Sequence, residues 1–142
     1  MARGIPSNVI RYFEAIPMFA TVSKAGIRSL VKAATEIDLP SGKTLVKEGE
    51  TGRELYVLVR GTARVSRGGR SLREMGPGDF FGELAFLSHG PRTATVAATS
   101  DVRLMVLGGR EFESVVESEP KLALQVLEAA AIRIRNLDRK TL

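Results

Sequence analysis

The 142-residue chain has no cysteine. That absence removes disulfides, thiolate metal sites and thiol nucleophiles, and it suits a reducing or redox-indifferent compartment. Histidine is almost as scarce. His89 is the only one; it adjoins Ser88, but adjacent turn residues seldom aim at one another, and no second histidine completes a triad or a metal cluster. No catalytic residue, metal or cofactor is assigned, and the chain is read as not an enzyme. No apolar run approaches the roughly 20 residues of a membrane helix. The opening Met1-Ala2-Arg3-Gly4-Ile5-Pro6-Ser7-Asn8 lacks the apolar stretch of a secretion signal. A cytoplasmic location with no membrane span is expected.

What is present suits one globular domain with one core: 44% of residues are apolar and 26% charged. The formal net charge is +5, with basic clusters around Arg64 to Arg73 and Arg133 to Lys140. A nucleic-acid surface would interleave aromatic residues with the basic ones for stacking, and neither cluster contains any. Both read as solvated faces.

Along the chain, Ile27, Leu30, Val31 and Ala34 recur at helical spacing from Ser23 onward, until Asp38-Leu39-Pro40-Ser41-Gly42 gives a stop signal. A less regular helix precedes it around Val9 to Ala15. Between Thr44 and Leu107 the texture changes to short β-rich runs: Leu55 to Val59, Thr62 to Ser66, Arg92 to Thr99 and Val102 to Leu107. Gly68-Gly69 reads as a hairpin turn, and many short strands at regular spacing suggest an antiparallel barrel or sandwich. Helical spacing returns in Phe112, Val115 and Val116. After Pro120, a long helix carries Leu127, Ala130, Ala131, Ile134 and Leu137 on one stripe. The layout is residues 1–39 as N-terminal helices, 40–108 as a β-roll and 109–142 as C-terminal helices, in one domain.

The chemistry concentrates between Phe80 and Ala94. Phe80 and Phe81 end a strand, and Leu84, Ala85 and Phe86 suit a short helix whose first amides favour an anion; Gly82 there lets anion oxygens approach the backbone. Past the turn at Gly90-Pro91, Arg92 can grip the same anion with its rigid fork of donors. Glu83 would repel that anion unless it accepted from a hydroxyl, as a sugar provides. Thr93 adds a donor and an acceptor. Phosphate, sugar hydroxyl and base together describe a nucleotide.

Phe81-Gly82-Glu83-Leu84-Ala85 followed by Pro91-Arg92-Thr93-Ala94 resembles the phosphate-binding cassette of cyclic-nucleotide-binding domains, the family of cAMP receptor proteins and protein kinase A regulatory subunits. Gly49-Glu50 with Gly52, Leu55 to Val59 with Gly61, Gly76-Pro77-Gly78-Asp79-Phe80 and Ile16-Pro17-Met18-Phe19 are similar to the family too, in order along nearly the whole chain. The resemblance implies a mainly β fold with flanking helices (α+β): an eight-stranded antiparallel, jelly-roll-like β-roll with N-terminal helices and two C-terminal helices. It implies a cAMP ligand at Phe81, Gly82, Glu83, Leu84, Ala85, Arg92 and Thr93. The phosphate falls to Gly82, Ala85 and Arg92, and the ribose 2′-hydroxyl to Glu83. Thr93 keeps cGMP open, although its strand is rich in threonine and a strand-forming role competes. Phe86 stands where the family commonly has an aliphatic residue and reads as a core substitution.

In the family the C-terminal helix also lids the base, which makes Arg133, Ile134 and Leu137 candidates for that contact. The stripe on the same helix has two readings, a cover over the barrel or a seam with a second copy in a homodimer. The implied function is a regulatory module that signals by repositioning this helix. Transcriptional relatives continue into a helix-turn-helix domain. This sequence holds no such DNA-binding domain and reads as a stand-alone module or a piece of a longer protein. The alternative is a protein-interaction module of the same fold with no nucleotide requirement; a polyanion binder using Arg133, Arg135, Arg139 and Lys140 is a third reading. A hydrolase of cyclic nucleotides would need a metal cluster that one histidine cannot supply.

Overall fold

The computed structural model describes residues 7–141, which fall into two compact units. The β unit, Ala34–Gly109, holds eight strands in two four-stranded antiparallel sheets. In chain order these are β1 (Thr35–Leu39), β2 (Thr44–Val46), β3 (Glu54–Arg60), β4 (Ala63–Arg67), β5 (Arg70–Met75), β6 (Phe80–Phe81), β7 (Thr95–Ala98) and β8 (Val102–Gly108). One sheet runs β1-β8-β3-β6 and the other β2-β7-β4-β5. The eight-stranded antiparallel roll expected from the resemblance is therefore present.

Alternation explains the central strands. Leu58 of β3 and Val102 and Leu104 of β8 point into the core between the sheets, while Leu55 and Val57 of β3, paired with Leu107 and Met105, are buried at alternate positions on the opposite face. Leu58 pairs with Leu104 across the first sheet, while Val65 pairs with Val96 across the second. Leu58, Ala63, Met75, Val96, Ala98 and Leu104 belong to the shared core. Gly68 and Gly69, at φ 57° and 78°, make the β4–β5 hairpin turn that only positive φ permits.

Two strands depart from the sequence reading. Thr35–Leu39 lies within the stretch assigned to N-terminal helices but forms β1, the edge strand beside β8. Its charged residues face outward, and Asp38 is bonded by Arg103 across the pair at 2.8 Å. That bond holds the Asp38 carboxyl below the usual carboxylate range. β5 is exposed at every position except Met75, so it offered no apolar period to read. Charged, exposed residues on an edge also discourage pairing with other chains.

The helical unit takes its described residues from 7–33 and 110–141. α1 (Ser7–Glu14), a 3₁₀ turn at Pro17–Phe19 and α2 (Lys24–Ala33) bury Val9, Phe13, Met18, Phe19, Ile27 and Leu30. The Ser23 hydroxyl accepts from the Gly26 amide and caps α2. A third helix, α3 (Glu83–Ser88), belongs to the β unit, and α4 (Gly109–Ser118) and α5 (Pro120–Thr141) follow. On α5 the buried stripe is Leu122, Val126 and Ala129. This corrects the covering role read for the stripe from the sequence: Leu127 and Ile134 are 64% and 62% exposed.

Candidate functional site

The site is built around Arg92, the one charged residue buried among those described, at 6% exposure. A buried guanidinium requires partners, because desolvation of an unpaired charge is expensive. Its Nη1 donates to the Glu54 carbonyl at 3.0 Å and, more weakly, to the Gly82 carbonyl at 3.4 Å. The Glu54 carboxylate stands 3.9 Å from Nη2. Beneath it lies the Tyr56 ring, whose centroid is 5.7 Å from the guanidinium carbon; Tyr56 stacks in turn on Phe81 at 4.8 Å. Burial, and secondarily the Glu54 charge, raise the Tyr56 hydroxyl above its ordinary pKa, with Arg92 opposing.

Two glycines make room for this side chain. A Cβ on Gly82 would come within 2.6 Å of both Arg92 Nη1 and the Glu54 carbonyl, and Gly82 also has φ +87°. A Cβ on Gly52 would come within 2.6 Å of Nη2. The sequence reading justified Gly82 by the approach of a ligand oxygen; the structure gives it an additional role, admitting the guanidinium.

The backbone of Arg92 is fixed as tightly as its side chain. Gly49 N–H donates to the Arg92 carbonyl and Arg92 N–H to the Glu50 carbonyl, each at 2.9 Å, and Thr51 bridges Pro91. Gly82 precedes α3, and its carbonyl accepts the first helical bond, from Phe86 N–H at 3.0 Å. The first turn of such a helix has no intrahelical acceptor for its amides. Phe86 is buried, as a core substitution should be.

Arg92 lines a cavity of about 300 Å³ together with Phe81, Gly82, Glu83 and Thr93. Five of the seven ligand residues expected from the sequence thus meet at one concavity. The side chains of Leu84 and Ala85 lie outside those described, although both residues sit in α3. Of the lid candidates, Ile134 is exposed on α5, and the side chains of Arg133 and Leu137 lie outside those described. Sequence reasoning missed the facing wall, where Val65 and Arg67 of β4 and Leu72 and Arg73 of β5 line the same cavity. Only strand pairing brings them there, since nothing in the local pattern of β5 marks a wall. Three arginines against one glutamate give the lining a cationic balance suited to an anion.

Among the described residues no cluster of three or more histidines, cysteines or acids could hold a metal. No helix among them is long and apolar enough to cross a membrane.

Comparison with known proteins agrees with this geometry. A family model described as the cyclic nucleotide-binding domain matches residues 36–119. The chain is 32% identical over 123 residues to a CRP-like cAMP-activated global transcriptional regulator of Mycobacterium tuberculosis, covering 83% of this chain and 55% of the regulator. It therefore spans little more than half of that relative's length. Among solved structures, the N-terminal domain of a transcriptional regulator from Streptomyces coelicolor A3(2) superposes with a TM-score of 0.84 at 31% identity, covering 90% of this chain and 95% of that one. The regulatory domain of Toxoplasma gondii PKA, crystallised with cAMP, gives 0.71 at 30% identity, over 77% of this chain and 43% of the other.

Proposed function

Because the chain belongs to the cyclic nucleotide-binding domain family, we propose that the cavity bordered by Arg92 and Glu83 binds a cyclic nucleotide, cAMP or cGMP, and that the chain acts as a non-catalytic regulatory module. The observation that carries this is the placement of Arg92, held between Gly52 and Gly82 and lining the same cavity as Glu83 and Thr93. Its guanidinium and the α3 amides would hold the ring phosphate. Glu83 would accept from the ribose 2′-hydroxyl. Leu84 and Ala85 would complete the cassette, and the whole chain, 1–142, would act as one domain.

The base falls to the remaining wall. Thr93 and Arg73 offer donors that suit the O6 and N7 acceptors of guanine as well as adenine N7. Helix α5 carries the response, with Arg133, Ile134 and Leu137 as its base contacts. The exposed Leu124, Leu127 and Ile134 on α5 support pairing with a second copy. A cytoplasmic setting suits these ligands.

Calorimetric titration with cAMP and cGMP side by side tests the ligand. Binding should be saturable and should weaken with a 2′-deoxy analogue. At 100 times the dissociation constant, ligand should stabilise the fold by about 2.7 kcal/mol. No heat and no thermal shift with either nucleotide refutes the reading.

A further inference from the structure

The turn that carries Arg92 and Thr93 is also held from the side, by side chains outside the cassette. Arg67, the last residue of β4, donates from Nε to the Thr93 carbonyl at 2.8 Å. At the tip of the same hairpin, Gly68 N–H donates to the Glu48 carboxylate at 2.9 Å, and Glu48 N–H donates to the Thr95 hydroxyl at 3.0 Å. Glu48 adjoins Gly49, whose amide holds the Arg92 carbonyl. The 48–51 segment is thus bonded on one side to the 91–95 segment and tied by Glu48 to the hairpin. Arg67 closes the circuit directly onto Thr93.

We propose that Glu48 and Arg67 are positioning residues for the ligand site, latching the β4–β5 hairpin to the turn that presents Arg92. The proposal rests on the cyclic-nucleotide reading above. Both residues are exposed, so their removal threatens the core little. Arg67 bonds the carbonyl of the residue after Arg92, and the Glu48 carboxylate ties the hairpin tip to the segment whose Gly49 amide holds the Arg92 carbonyl, so loosening them lets the guanidinium wander from its place between two glycines. Ligand binding must then restore an order that the wild-type protein already has, which weakens affinity.

Arg67→Ala and Glu48→Ala, with Arg67→Lys as the conservative variant, test the latch by two measurements. In ligand-free protein, exchange of the Gly49 and Arg92 amides should speed up several-fold in both alanine variants. The Leu58 amide, bonded to the Asp79 carbonyl, should keep its rate. Titration with cAMP and cGMP should show affinity about three- to tenfold weaker in both, the lower range for exposed charge-assisted bonds. The lysine variant, which can still donate to the Thr93 carbonyl, should recover part of the loss. Unchanged exchange, or faster exchange with wild-type affinity, overturns the latch alone. Failure of the wild-type protein to bind either nucleotide brings down the ligand reading, and the latch with it.

Discussion

Replacing Gly52 with Ala offers the most direct trial of the Arg92 site, because the perturbation is confined to one side chain. Gly52 needs no left-handed backbone, so alanine strains nothing there. Its Cβ would stand 2.6 Å from Arg92 Nη2, 3.1 Å from Nε and 3.2 Å from Cζ. The guanidinium would have to retreat by about 0.8 Å to reach the 3.4 Å of ordinary contact. Its way is obstructed, since Nη1 already donates to Glu54 at 3.0 Å and lies against Gly82. Overpacking of this kind costs about 1–3 kcal/mol. If Arg92 holds the phosphate as proposed, displacing the fork removes a charge-assisted bond to the ligand, about 1.5–3 kcal/mol, or roughly ten- to a hundredfold in affinity. Gly42→Ala serves as the control: at φ +88° with nothing within 4 Å, it should lose about 1–2 kcal/mol of stability through strain alone and keep wild-type affinity. Calorimetry with both cyclic nucleotides, beside thermal unfolding, reads the two effects separately. A folded Gly52→Ala protein with undiminished affinity would refute the placement of the phosphate at Arg92.

Three further outcomes follow from the fold. Leu104→Ala, at a fully buried position facing Leu58, should cost about 2–5 kcal/mol in denaturant unfolding; a loss below 1 kcal/mol would contradict the shared core. His89, following α3, is the one non-glycine residue with positive φ among those described, at 60°. His89→Gly should leave the protein as stable or up to about 1 kcal/mol more so, since relief of left-handed strain is partly offset by chain entropy, and a clear loss in thermal unfolding would count against that conformation. Burial raises the Tyr56 hydroxyl pKa. Its stabilising share is therefore present below the unfolded tyrosine value of about 10 and is lost as pH rises through the folded value, because the unfolded chain ionises first. Tyr56→Phe should flatten the alkaline fall in stability, and an unchanged slope would remove Tyr56 as its cause.

The sequence by itself determined the central strands and the cassette. Leu55 to Val59 and Val102 to Leu107 carry their burial in dense local apolar runs, and a glycine, an acid and an arginine at fixed spacing single out residues that the fold gathers at one cavity. Local signals failed where the environment was set by distant residues. β1 and β5 are sheet edges whose charged or exposed positions carry little apolar period, and the buried face of α5 was misplaced because alanines and leucines occur all round that helix. Tertiary structure alone decided that Gly52 and Glu54 enclose Arg92, and that Arg67 and Arg73 face the cassette across one cavity. The physical reason is that strand pairing joins residues tens of positions apart, and no local pattern records which partner a strand will find.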